Sequence, residues 1–350
     1  MLFFGRERIM KNSVRFIKLI LLFSAKNLYV CAQDYNTENL HALVNELQNT
    51  VDQLQTVVLD MEYSEPVKNT QELLMQSTSE IVNIIVKENF FDPQTGMEMI
   101  YIPARVFLVG SDPVEDSYSQ ENETPQQRVF IDDFWISKTE VTNEQYLRCV
   151  EAGACEAGYY MSLYLPEEKD FPVNYVTYEQ AQSFCSWIGG QLPSEFQWEK
   201  AARGTDGRIY PWGNEIPSTN KLFANICYKD SDGKEVDLLP VASFPFGASP
   251  YGVMDMSGNV WEWTSSWYSE DYYQQINSES NRSGRILKNP TGSENGKVHV
   301  IKGGAAAYTE VDSSHIYSRA ANRSYLNLTS SYYVGFRCVM MKNSIKPNVY

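Results

Sequence analysis

The chain has 350 residues, 43% hydrophobic and 13% aromatic, enough apolar material for one large domain or two ordinary ones. Its 29 lysines and arginines face 44 aspartates and glutamates, a formal charge of −15. That balance argues against nucleic acid as a partner, because phosphate binding needs a cationic footprint, and it suits a secreted surface or a protein that takes cations.

At the N-terminus, Lys11, Arg15 and Lys18 precede the apolar run LILLFSA at 19–25, and VCA then puts small side chains at the −3 and −1 positions before Gln33. Residues 1–32 therefore read as a signal peptide cut after Ala32, with Met10 as the better-fitting start. The apolar run is too short to span a bilayer comfortably. A lipoprotein signal in LYVC, residues 28–31, is the weaker reading, because Val30 is bulkier than the small residue expected before the cysteine. The expectation is a secreted, periplasmic or cell-surface protein. Cleavage removes six bases and one acid and takes the formal charge to about −20.

Residues 33–90 read as helical. Between 36 and 62, Leu40, Leu43, Val44, Leu47, Val51, Leu54, Val57, Val58 and Met61 recur at spacings of three and four, an amphipathic stripe with coiled-coil potential. A second helical stretch, 70–88, follows SEPVKN. One reading is a stalk that holds the remainder of the chain off a surface; the other is self-association through 36–62. So short a heptad run is marginal alone, which favours the stalk.

From Gly96 the texture changes. Alternating runs at 97–110 and 127–142 read as strands, and 143–151 and 178–190 as helices. GGQLPSEFQWE lacks the spacing and context of a phosphate loop and reads instead as a loop into a helix over 195–200, capped by Ser194 with Gln197 three residues on. Beyond it, a stretch rich in Gly, Pro, Asn and Trp shows little periodicity and no repeat, which predicts ordered loops over modest regular structure. The expectation is an α+β domain over 91–342 with a tail at 343–350. After cleavage five cysteines remain: Cys149, Cys155, Cys185, Cys227 and Cys338. An oxidising compartment permits disulfides. Cys149 and Cys155 enclose only VEAGA, a local staple; Cys185 and Cys338 are candidates to tie distant parts together, leaving Cys227 as a buried thiol. No CxxC spacing suggests zinc.

GMEMIYIPARVFLVGSD, FWISKTEVTNEQYLRCV, PVNYVTYEQAQSFCSW, LPSEFQWEKAARG, YPWGN, SPYGVMDMSGNVWEWTSSWY, VIKGG and VGFRC occur in that order between residues 96 and 338. Together they closely resemble the formylglycine-generating enzyme (sulfatase-modifying factor) domain family. The resemblance implies a variant of the C-type-lectin-like fold and two calcium sites. The first would use Asp255, the carbonyls of Gly258 and Val260, and Glu262. Calcium takes six to eight oxygens of this kind from a turning loop. The alternative there is a buried acid pair neutralised by Arg337 or Arg323. The second would use Asn225, the carbonyl of Ile226 and an acid in KDSDGKEVDLLPV, where Asp232 and Asp237 compete; a solvated acidic loop is the alternative. Cys185 and Cys338 match a disulfide of the family.

The family's enzymes oxidise a sulfatase cysteine with copper, oxygen and a cysteine pair that lies after a GG. Here that segment reads GGAAAYTEVDSSHIYSRAANR, residues 303–323. Aligned on AANR, the cysteine positions fall on Glu310 and His315; aligned on GG, the first moves to Tyr308. The segment contains no cysteine, and thiolates are the natural ligands of Cu(I), so copper is not expected. Ala202 and Ala320 stand where some members have a further disulfide, which agrees with that register. The relatives that form sulfoxides use a three-histidine iron site, but His41, His299 and His315 lie in unrelated contexts. Ser313 or Ser314, His315 and Glu310 make only a paper triad, since neighbours on a strand point to opposite faces.

The predicted function is a non-catalytic recognition module. Tyr308, His315, Tyr317, Tyr325 and Asn327 form the candidate ligand surface, where aromatic area combines with adaptable hydrogen bonds. The ligand would be a protein or a glycan. The alternatives are an oxidoreductase acting on sulfatase cysteines with altered site residues, and a structural component of a surface machine.

Overall fold

The computed structural model describes residues 89–158, 166–217, 223–226, 237–306 and 314–342. The signal peptide, the helical expectation up to residue 88 with its self-association stretch, Cys227, Asp232, Tyr308, Glu310 and the tail lie outside the described residues.

Among the described residues, three small sheets carry an α+β architecture. The first is antiparallel in the order β1 (Phe90–Phe91), β2 (Glu98–Ile102), β5 (Phe134–Ser137), β11 (Val339–Met341). It joins both ends of the domain, since Ile136 pairs with Ile100 on one side and Val339 on the other. Side chains alternate between two cores: Met99 and Trp135 face one, while Ile100, Ile102, Phe134, Ile136 and Val339 face the other. All four residues of FWIS are buried, because this strand is covered on both faces. The second sheet runs β3 (Arg105–Val109), β4 (Gln127–Ile131), β7 (Leu287–Lys288). The third runs β10 (Val334–Gly335), β6 (Trp261–Trp267), β8 (His299–Lys302), β9 (Ser324–Tyr325), with β10 parallel to β6.

Helices α1 (Asn143–Glu151), α2 (Tyr178–Trp187) and α3 (Glu195–Arg203) each open on a capping box: Thr142 with Gln145, Thr177 with Gln180, Ser194 with Gln197. Helix α2 stops at Trp187, short of the expected 190. Gly189 takes a φ of 82°, and a Cβ on Gly190 would lie 2.5 Å from the Val339 carbonyl, so the chain turns there to meet β11. Helix α4 (Tyr272–Ser283) was not expected from the sequence; only Tyr273 and Ile276 of its twelve residues are buried, too thin a stripe to stand out. A four-residue turn of helix, α5, spans Ser314–Tyr317.

Every residue of α3 is buried, charged ones included. Glu195 pairs with Arg323 at 2.5 Å, and Glu199 receives Arg203 at 3.0 Å, Lys302 at 3.3 Å and the Gly110 amide at 2.8 Å. Burial alone would raise the Glu199 carboxyl, yet Lys302 and Arg203 hold it below its ordinary value. Disulfides join Cys149 to Cys155 and Cys185 to Cys338, the pairings expected. The second closes a separation of 153 residues and ties α2 to the strand end before β11.

Candidate functional site

The loop DMSGN, 255–259, turns through three residues of positive φ: Asp255 at 56°, Gly258 at 84° and Asn259 at 61°. Only glycine fits at 258, because a Cβ would sit 2.2 Å from the Asn225 carbonyl oxygen. The turn exposes the loop's polar groups to three neighbours. Gly258 N donates to Gly303 O at 2.8 Å, Ala306 N donates to Asn259 O at 3.0 Å, and Ser257 Oγ donates to Ser318 O at 2.7 Å. The Asn259 side chain holds Leu239 through both its amide atoms. The loop thus grips the chain on either side of 304–318.

Glu262, next along on β6, is fully buried. Arg337 Nε donates to its Oε2 at 2.6 Å and Nη2 to its Oε1 at 2.7 Å, and Trp198 Nε1 donates to Oε2 at 2.6 Å. The guanidinium also reaches the carbonyls of Ser137, Met254 and Asp255 at 3.1, 3.0 and 3.3 Å. An internal cation therefore fills this cage of oxygens. Of the two arginines weighed, Arg337 is the one that neutralises Glu262; Arg323 serves Glu195. With both carboxylate oxygens taken, Glu262 does not fit a calcium ligand.

Beside this pair lies a residue the sequence reading passed over. Glu140, in SKTEVTN, is fully buried, and neither carboxylate oxygen has a hydrogen-bond partner. Burial, then the charges of Asp255 and Glu262, push its carboxyl well above the ordinary range. Burial also raises Asp255, against the Ala242 amide, which donates to its Oδ2 at 2.6 Å, and against Arg337. Three carboxylates thus share one guanidinium. No donor reaches either Glu140 oxygen and Asp255 gives only Oδ2 to an amide, so these two acids are the ones open to a hard cation, whereas both Glu262 oxygens are taken by Arg337. Among the described residues no three His, Cys, Asp or Glu side chains converge as a ready metal cluster.

On the other side of Gly258, Asn225 bridges to the same loop, and Asn225 Nδ2 donates to the Asp237 carbonyl at 3.0 Å. Asp237 Oδ1 accepts from the Leu238 amide at 2.8 Å and from the Tyr332 hydroxyl. Ile226 is buried against Gly258. Asp237 is the described acid at this point.

The 303–323 segment leaves and re-enters the core at one place: a Cβ on Gly304 would meet the Ser318 backbone at 3.1 Å. Arg319 fastens the return, bonding Asp116 and Glu123 at 2.6 Å each, and Arg323 donates to the Asn122 carbonyl at 2.7 Å. The His315 ring meets Tyr118 edge-on at 4.8 Å, and its carbonyl accepts the Tyr210 hydroxyl at 3.2 Å. Tyr210 starts a ladder of stacked rings, Tyr210–Trp212–Phe223, with centroids 5.1 and 5.0 Å apart. The ladder was not foreseen, although YPWGN places Tyr210 and Trp212 two apart. Tyr317 packs against the first core. Tyr325, 42% exposed, leans on Tyr268 at 4.6 Å, and Asn327 is exposed nearby in the chain. The expected surface residues therefore divide between a Tyr118 neighbourhood and a Tyr268 neighbourhood.

The residues do not fit the copper site. Segment 303–323 contains no cysteine, and the four described cysteines are all in disulfides. His299 is enclosed by the Tyr178 and Trp267 rings, at 3.6 and 3.8 Å.

Residues 87–342 match the family model described as sulfatase-modifying factor enzyme 1-like domain. The chain is 30% identical over 259 residues to serine/threonine-protein kinase pkn1 of Chlamydia caviae, a match that covers 69% of this chain but only 37% of that protein. It is 28% identical over 297 residues to the formylglycine-generating enzyme of Bos taurus, covering 70% and 75% of the two chains. Among solved structures it resembles PvdO from Pseudomonas aeruginosa with a TM-score of 0.57 and 24% identity, covering 73% of this chain and 98% of that one.

Proposed function

We propose a function from one premise: the chain belongs to the sulfatase-modifying factor enzyme 1-like domain family. On that scaffold, in the C-type-lectin-like reading of it, the protein is a secreted or cell-surface recognition module rather than a copper oxidase. The observation that carries this is the 303–323 segment. It is anchored firmly at both ends, yet it has no thiolate for Cu(I). The side chains near it, Tyr325 and Asn327 on the Tyr268 side and His315 on the Tyr118 side, suit a protein or glycan ligand, because rigid aromatic area costs little entropy to immobilise. The two disulfides support an oxidising compartment.

A divalent cation such as calcium belongs to the same proposal. Asp255 and Glu140 would hold it, with the Gly258 and Val260 carbonyls as further oxygens. When bound it supplies two positive charges, which balance three buried carboxylates against one guanidinium.

The likeness to the bovine formylglycine-generating enzyme favours a second reading, an oxidoreductase with altered site residues. Binding measurements on glycan arrays and on immobilised surface proteins test the first reading. Wild type should bind a ligand class that the Tyr325→Ala/Asn327→Ala variant loses at unchanged melting temperature. Binding that survives this substitution would count against the assigned surface.

A further inference from the structure

Among the described residues, six strands stand at the rims of the three sheets, and five of them are short. β1, β7, β9 and β10 have two residues each and β11 has three, while β3 has five. Soluble proteins avoid long open edges, because unpaired N–H and C=O groups invite another strand. β3 pairs on one side only, with β4, and in such a ladder alternate residues point their backbone groups away from the partner strand. Among the described residues nothing bonds those outward groups. Near the end of β3, Gly207 closes on Leu108, where a Cβ would lie 3.2 Å from Leu108 Cδ1. The open stretch is therefore the first half, and Ala104, Arg105 and Val106 are all exposed there.

The side chains around that edge are apolar or cationic. Phe107, Val129 and Ile131 turn into the core, so Val106 and Phe130 share the outer face in register, with Lys288 as the next neighbour. Val106 is 37% exposed, and Ile286, just before β7, is 46% exposed. Arg128 is exposed on the same face, and Lys288 Nζ lies 5.5 Å over the Phe130 ring while bonding Asp132 at 3.0 Å. Among the described residues neither Arg105 nor Arg128 has an ion-pair partner. Unpaired cations set in open apolar area stand out on a chain of formal charge −15.

We propose that β3 receives an extended segment of a partner protein as a fourth strand of this sheet, a segment in which apolar and acidic residues alternate. Main-chain bonds to the open edge supply affinity, and the side chains supply selection. An apolar guest residue opposite Val106 covers its exposed side. The guest residues before and after it project to the other face, where a carboxylate meets Arg105. Arg128 and Lys288 favour the same sign of charge, because complementary fields steer a partner and reject its opposite. This edge belongs to a different sheet from Tyr325, and the proposal does not rest on the ligand surface assigned above.

Two fluorescein-labelled peptides, one of alternating valine and glutamate and one of alternating valine and lysine, test this on the full-length protein by fluorescence anisotropy. The acidic peptide should bind and the basic one should not, and added salt should weaken the binding. Arg105→Glu/Arg128→Glu should raise Kd by about tenfold at unchanged melting temperature, the effect of losing two exposed charge pairs. Hydrogen exchange reports the binding mode. With acidic peptide at about ten times Kd, the amides of 105–107 that point away from β4 should slow by about tenfold. Binding without that protection would overturn strand addition, and equal affinity for the two peptides would overturn the acidic assignment. If the acidic peptide does not bind, or if phosphatidylglycerol vesicles bind in its place, the proposal as a whole is wrong.

Discussion

Arg337 shows how one side chain can decide what a loop is for. Its guanidinium bonds both oxygens of Glu262 and four backbone carbonyls, so a fixed internal charge holds together the end of β5, the 254–255 turn and β6. Removing one partner of a fully buried pair strands the other, at a cost of about 3–5 kcal/mol. Arg337→Met should lower unfolding free energy by that amount in urea titrations, and Arg337→Met/Glu262→Gln should recover part of it. Full independence of the two substitutions would contradict the pairing. The sequence presented Arg337 and Arg323 as equal candidates, and nothing local separates them: the choice is made by β10 lying parallel to β6, which brings Gly335 beside Glu262. Glu140 was missed for a similar reason. In a strand-to-helix connection it looks like a solvated acid, and only the packing of the 255 turn against it makes it buried.

At the scale of elements, what was legible was local. The Ser194 cap with Gln197 announced the start of α3, the helical runs at 143–151 and 178–190 announced α1 and α2, and the alternating runs announced β2 to β5. Helix α4 stayed hidden, because its two buried residues leave no stripe. Helix α3 yields two predictions. Ser194→Ala removes a side-chain acceptor from the Gln197 amide and should cost about 1 kcal/mol in chemical denaturation. The second concerns pH. Lys200 is buried on α3, donating to the Pro103 and Ile131 carbonyls at 2.6 and 3.0 Å, and burial lowers its pKa to about 8. The folded state thus releases this proton before the unfolded chain does, whose lysine titrates at its ordinary 10.5. Stability should therefore rise with pH between those two values as the unfolded chain holds more protons. Above pH 10 the buried tyrosines reverse the trend. Burial raises Tyr146 and Tyr272 to about 12, so the unfolded chain ionises them first. Denaturation midpoints measured from pH 7 to 11 should pass through a maximum, and Lys200→Met should flatten the rising side.

For the molecule, the joining of distant segments matters most. The Cys185–Cys338 disulfide closes 153 residues, and loop entropy puts its contribution at about 5 kcal/mol, against about 2 for the six-residue Cys149–Cys155 closure. Cys185→Ser/Cys338→Ser should accordingly lower the melting temperature far more than Cys149→Ser/Cys155→Ser; equal effects would show that loop length is not what matters here. Phrases such as DMSGNVWEW and VGFRC made the fold readable because they encode contacts the scaffold cannot lose: Gly258 against Asn225, and Arg337 on Glu262. The candidate site was less readable. The absent cysteines of 303–323 are plain in the sequence, but the brace from Ser257 to Ser318 and the ring ladder from Tyr210 to Phe223 arise only when remote segments meet. The proposed function is recognition without oxidation. Incubation of the purified protein with copper, oxygen and a Cys-X-Pro-X-Arg sulfatase peptide, followed by mass spectrometry, tests it most directly: the account predicts an unaltered cysteine, and conversion of that cysteine to an aldehyde would contradict it.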